Sequence, residues 1–241
     1  MFEMWKPEYI SPVLAFSLLT IGYIGYFFVS HSNRIYRSLV IRFGEERSKP
    51  RWFFFQKLTG FVFLGLIPFL VFMIVHPLHL SEIGMNFRNI GESLLWIIGL
   101  SAIIIVINFF AARNPGNLES YPQIRVKKWT YALLVVSSSG WILYLLGYEF
   151  LFRGILLFSC LPLFGVWPSI AINVAFYALV HIPKGFKETA ASIPLGIILC
   201  ILTIMTGSIW VAYLTHVSLA LSNDFFSIYY HPDMYLKRSI N

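Results

Sequence analysis

The chain has 241 residues, of which 58% are hydrophobic, 18% aromatic and only 12% charged, where an ordinary soluble domain is roughly a quarter charged. This balance excludes a sizeable soluble domain and predicts an all-α polytopic transmembrane helix bundle of about seven spans, within limits of six to eight, since about 20 apolar residues cross a bilayer as a helix. The net charge of +7 does not point to nucleic acid, because the basic residues cluster in short segments between apolar runs, where they act as topology signals.

Apolar runs fall near residues 10–30, 58–76, 93–112, 129–163, 166–182, 189–206 and 208–226, with no internal repeat. The first, Ser11 to Ser30, is too long for a signal-peptide core and is preceded by Glu3, Lys6 and Glu8 rather than a basic segment, so it is expected to remain as a span. The segment 31–57 carries Arg34, Arg37, Arg42, Arg47, Lys49, Arg51 and Lys57 against Glu45 and Glu46, which places it on the cytoplasmic side. Residues 77–92 are nearly neutral, 113–128 are basic again through Arg113, Arg125, Lys127 and Lys128, and Lys184, Lys187, Lys237 and Arg238 follow later. A plasma-membrane protein with its N-terminus outside and C-terminus cytoplasmic satisfies every loop. Three regions are expected: 1–128, amino-terminal spans and basic loops; 129–226, a core of helices; and 227–241, a cytoplasmic tail. The run 129–163 exceeds one perpendicular span and must be tilted, broken at Gly140 or partly interfacial. Cys160 and Cys200 lie in apolar runs and read as packing residues, not as a disulfide or metal framework.

Ionisable groups inside membrane helices cost about 2.5 to 3.5 kcal/mol each on insertion scales, so each one asks for a function. Glu149 and Arg153 in Gly-Tyr-Glu-Phe-Leu-Phe-Arg-Gly are four apart, on one helix face and within reach of an ion pair. A structural pair tying helices together explains those two alone. His181, ending the fifth run, and His216, inside the seventh, add imidazoles from two further helices, and the four together suggest a converging site. A carboxylate beside imidazoles takes a proton from water, and a second imidazole holds an oxyanion or a metal ion, a set suited to amide hydrolysis. Counted at about 1.5 Å per residue, His216 lies well inside its run, His181 near the inner end and Glu149 nearer the outer end. Straight perpendicular spans would not join them, whereas tilted or broken ones around a wet cavity would.

The order Glu149…Arg153-Gly, an aromatic-rich helix ending in His181, then Gly-Ser-Ile-Trp…His216 resembles the CAAX-protease and bacteriocin-processing (Abi) family of intramembrane endopeptidases over about residues 140 to 225. Against that family's Glu-Glu-x-x-x-Arg, Phe-x-x-x-His and His-x-x-x-Asn/Asp signatures, Glu149 matches the second glutamate, Arg153 the arginine, and His181 and His216 the two histidines. Tyr148 stands where the first glutamate would be, Tyr177 replaces the phenylalanine, and Ala220 takes the Asn/Asp position. The Tyr-Glu pair resembles a variant branch in which the second motif extends to a lysine and a glutamate, here Lys184 and Glu188.

The resemblance implies hydrolysis of a peptide bond in a membrane-associated or lipidated substrate. Glu149 or Glu188 acts as general base, and His181 and His216 bind water, oxyanion or a divalent metal such as zinc; both metal-dependent and metal-free chemistry stay open. Tyr148, Tyr177 and Asn223 are candidate substrate-binding residues, with Asn223 two turns from His216 and Asp224 read as the membrane boundary. For Glu188 the alternative is a helix N-terminal residue favourable to the macrodipole; for Tyr148 it is packing. Partners are the lipid bilayer and the peptide or lipidated substrate, with no nucleic acid. Tyr148 and Ala220 also admit an inactive protein of the same fold that binds a peptide or lipidated partner. A proton-coupled transporter would likewise use buried Glu, Arg and His, but no repeat or matched broken spans support it.

Overall fold

In lipid every backbone N–H and C=O must find its partner within the chain, so apolar runs of this length form helices. The computed structural model describes residues 5–75 and 79–237; Glu3 and Arg238, which entered the topology reading, lie outside the described residues. The helices are α1 (Ile10–Ser30), α2 (Asn33–Phe43), α3 (Glu45–Val75), α4 (Ile90–Ala111), α5 (Tyr131–Phe164), α6 (Val166–Leu179), α7 (Phe186–Thr206) and α8 (Trp210–Tyr230). Among the described residues five stretches, Pro7–Phe43, Glu45–Val75, Ile90–Ala111, Tyr131–Phe164 and Phe186–Thr206, are long and apolar enough to cross a membrane. With α6 and α8 they account for all seven apolar runs, and α2 lies in the basic segment. The protein is an all-α membrane bundle. A parallel pair, β1 (Lys128–Trp129) with β2 (Tyr235–Leu236), ties the C-terminal segment to the entry of α5.

The bundle is built around α5, whose most apolar window is 78% buried, against 6% for α4. The long run is thus not broken at Gly140: it is one 34-residue helix whose turns widen to π geometry at Phe150–Leu156, just after Glu149. Two close crossings let α3 lie along α5. At one, a Cβ on Gly65 would stand 2.7 Å from the Gly147 Cα; at the other, a Cβ on Gly140 would stand 2.7 Å from the Phe53 ring. Small residues at such crossings let backbones approach and gain dispersion contacts, which is how membrane helices associate without a hydrophobic drive.

Wide π turns disturb the regular carbonyl pairing of a helix. Here the Phe152 carbonyl accepts from the Asn173 side-chain amide of α6 at 2.6 Å, and Asn173 Oδ1 accepts from the Cys200 thiol of α7 at 3.3 Å. Three helices are therefore pinned together at the depth of the charged pair. On the opposite flank, Asn108 of α4 donates to the Leu219 carbonyl at 2.9 Å and to Ser222 at 2.8 Å, holding the lipid-facing helix on α8.

The loops gather at two ends. Gly84 and Asn86 bond to Ile209 and Gly207 at one end, and Ser11 bonds to Ser159 near it. At the other, Asn117 bonds to Asn223 and Ser227, Arg113 to Tyr230, and Gln56 to the Ser30 carbonyl. Basic segments 31–57 and 113–128 share the second end.

Candidate active site

Glu149 ends the regular α-helical part of α5 and is fully buried, as is Arg153. The four-residue spacing places both on one face, and Arg153 Nη1 lies 3.2 Å from Glu149 Oε2. The other carboxylate oxygen, Oε1, accepts from His216 Nδ1 of α8 at 2.6 Å. Arg153 is further sandwiched by Tyr177 of α6, its guanidinium carbon 4.2 Å from the ring centroid. One carboxylate thus joins an arginine on its own helix to an imidazole on another, which lowers the cost of burying all three.

His181 follows the end of α6, and its Nδ1 lies 2.7 Å from the Tyr177 carbonyl. An ionised Glu149 and a backbone carbonyl are both pure acceptors, so each histidine carries a proton on Nδ1, and in the neutral ring Nε2 is the acceptor. The two rings meet around the same tyrosines. The Tyr148 ring centroid is 6.4 Å from that of His181 and 5.8 Å from that of His216; Tyr177 is at 4.7 and 6.3 Å. The hydroxyls of Tyr148 and Tyr177 are buried and make no hydrogen bond with the described residues.

Both imidazoles line a cavity of about 390 Å³ whose mouth is set by His31, Arg125 and Lys184 and whose wall runs along Tyr26, Tyr144 and Tyr148. The depth mismatch expected from straight spans is absent because Glu149 sits near the middle of the 34-residue helix, not towards its outer end, and His181 lies on the loop where α6 turns back. The arrangement positions two imidazole acceptors and an unpartnered phenol at the end of a polar cleft, chemistry that handles a water and a carbonyl.

The remaining candidates lie elsewhere. Glu188, in the first turn of α7, pairs with Lys184 at 3.7 Å, half-exposed at the rim. Burial and, next, the Glu188 carboxylate push the Tyr121 hydroxyl well above its ordinary value, so Tyr121 stays a donor beside Glu188. Asn223 faces the 112–130 loop, its Oδ1 accepting from Asn117 at 3.1 Å. Asp224 is buried, accepting from Ser137 at 2.8 Å and from the Trp141 indole at 2.9 Å. Ala220 is buried and brings no polar group. Among the described residues no three His, Cys, Asp or Glu side chains gather as a metal-ligand set; both Glu149 oxygens are already engaged, so the two imidazoles stand as donors without a third, and a resident metal does not fit.

Three supporting residues escaped the sequence reading. Asn173 is an amide in the middle of an apolar run, a visible signal. Lys57 was counted with the basic loop although Trp52 to Phe55 before it already announce the helix; it is buried, its Nζ 3.3 Å from the Trp141 ring centroid. Trp141 joins Lys57 to Asp224 and carried no polar signal.

Residues 127–222 match the family model described as type II CAAX prenyl endopeptidase Rce1-like. No curated protein and no solved structure matches the chain. The matched stretch holds Tyr148, Glu149, Arg153, Tyr177, His181, Glu188 and His216 and ends just short of Asn223. Over these residues, which supply every side chain of the buried Glu149 cluster, the chain is similar to the type II CAAX prenyl endopeptidases of the Rce1-like family.

Proposed function

We propose that the protein is a metal-free intramembrane endopeptidase acting on a peptide or prenylated substrate, with His216 as general base. The observation that carries this reading is the Glu149 carboxylate bound at once to Arg153 and to His216 Nδ1, which fixes the tautomer and orientation of His216 and stabilises the imidazolium formed when Nε2 takes a proton. Glu149 acts through His216 and not on water directly.

Water held between the two Nε2 atoms attacks the scissile carbonyl carbon as His216 removes its proton. The oxyanion that forms accepts from the Tyr148 hydroxyl, the free donor between the rings. His216 then returns the proton to the amide nitrogen, the C–N bond breaks, and an acid and an amine leave. Tyr148 thus supplies a donor at the position where the family's first glutamate stands. The cleft opens at the basic loops, which the positive-inside bias assigns to the cytoplasm of a plasma-membrane protein.

Purified protein in lipid nanodiscs, incubated with prenylated and transmembrane peptides and read by mass spectrometry, is expected to cleave at least one peptide, to lose 100-fold or more of its rate in H216A, and to keep its rate with a strong chelator. An uncut panel for the parent chain overturns the reading; inhibition by chelator restored by zinc overturns its metal-free part. Tyr148 and Ala220 favour a second reading, a non-cleaving binder of the same peptides, which predicts retention of intact peptide.

A further inference from the structure

Beside the cleft, at the basic end, a second cavity of about 360 Å³ opens between α2, α3 and the 112–130 loop. Two cations reach it from different segments, Lys49 of α3 and Arg125 of the loop, with the side-chain amides of Asn33, Gln56 and Gln123 and the ring of Trp52. No carboxylate stands among the described residues of its lining. Lys49 pairs with Glu46 three residues earlier, whose side chain is 69% exposed; such a surface pair contributes little and yields to a competing anion. Arg125 Nη1 donates to the Leu118 and Tyr121 carbonyls at 2.8 and 3.1 Å, and Nη2 lies 3.4 Å from His231 Nε2. These contacts hold the guanidinium on its loop, yet among the described residues it has no carboxylate within ion-pair distance.

A topology signal needs only positive charge on one side of the bilayer. It does not call for cations and amide donors from three segments to converge on one hollow. The neighbouring helix indicates which anion fills it. On α2 the arginines 34, 37 and 42 are exposed, Ile35, Tyr36, Leu39 and Val40 are half-buried, and Ile41 is 87% exposed. A short basic amphipathic helix of this kind lies among lipid headgroups, and its first turn, through Asn33 and Tyr36, borders the cavity. The Tyr36 and Trp52 rings, 5.4 Å apart, are the amphipathic aromatics that favour the same depth. The volume is that of an ordinary small-molecule site.

We propose that this cavity binds the phosphate of an acidic phospholipid from the leaflet at the basic end, Arg125 and Lys49 neutralising the anion while the amides donate to its oxygens. His31, Gln56, Gln123 and Arg125 border both this cavity and the cleft, so a bound headgroup sets one edge of the cleft mouth. The site does not depend on the protease reading and is read by binding alone. Free phosphate has the same chemistry and is distinguished below.

The test is calorimetric titration of the full chain in neutral detergent at physiological salt, where diffuse surface charge is largely screened. The titrants are dioctanoyl phosphatidylglycerol, dioctanoyl phosphatidylcholine and inorganic phosphate. Phosphatidylglycerol is expected to bind at least tenfold tighter than phosphatidylcholine in the parent and in R34Q/R37Q, which removes equal charge from α2 outside the cavity. In K49Q/R125Q the preference is expected to fall to twofold or less. Equal binding of the two lipids by the parent, or a preference surviving in K49Q/R125Q, overturns the proposal; a preference lost equally in R34Q/R37Q assigns it to diffuse charge and overturns it as well. Should K49Q/R125Q fail to fold, K49Q alone decides, a weakening of at least threefold supporting the site and an unchanged preference overturning it. Inorganic phosphate that competes as well as phosphatidylglycerol assigns the cavity to a free anion and overturns the lipid assignment.

Discussion

Both oxygens of Glu149 are engaged inside the protein, one by Arg153 and one by His216, so the residue is expected to matter twice. Glu149→Gln keeps the shape and removes the charge, leaving Arg153 buried without its counter-ion. Breaking one partner out of a buried pair costs about 3 to 5 kcal/mol. A thermal denaturation series in detergent should show that loss, and the cleavage rate should fall with kcat and not with KM. Tyr148→Phe tests the other side of the cleft. It retains the ring stacked on Phe152 at 4.6 Å and deletes only the hydroxyl; losing one oxyanion donor lowers kcat by about 100- to 1000-fold. An unchanged kcat would reduce Tyr148 to packing.

Between the helices, space and one hydrogen bond decide the geometry. Gly147→Val places methyl groups against Gly65, where a Cβ already stands 3.1 Å from the Gly65 Cα, and so pushes α3 off α5. Overpacking of this kind costs about 1 to 3 kcal/mol or more, measurable as a lowered Tm, whereas the exposed Gly99, with open space around its Cα, should accept alanine without loss. Asn173→Leu strips the Phe152 carbonyl of its partner, a loss of about 1 to 3 kcal/mol for a buried acceptor. Because that carbonyl lies in the π turn next to Glu149, activity should fall further than stability explains. Sequence pattern announced the helices here but not the π turn, since nothing in Phe-Leu-Phe-Arg-Gly distinguishes a widened turn from a regular one.

Across the whole bundle, the topology gives a checkable division of loops. Ser120 borders the cleft at the basic end and Arg88 is exposed at the other. The native Cys160 and Cys200 are buried. In intact cells an impermeant maleimide should label Arg88→Cys and spare Ser120→Cys, with the reverse in inverted vesicles; the opposite pattern would turn the cleft to the outer face.

Composition alone determined that this chain lives in a membrane, because a backbone with so few polar side chains can satisfy itself there only as helices. The cost of burying charge also made Glu149, Arg153, His181 and His216 stand out before any coordinates, since their surroundings offered no other reason for them. Sequence could not join Glu149 to an imidazole: an α-helical spacing fixes Arg153 as its neighbour on one helix, whereas its other partner, His216, is on α8. Nor could it find Lys57, whose burial depends on α3 crossing α5 at Gly140. Contacts between helices far apart in the chain are set by packing in three dimensions, and that is where the imidazoles, the tyrosines and the buried ammonium come to share one cleft.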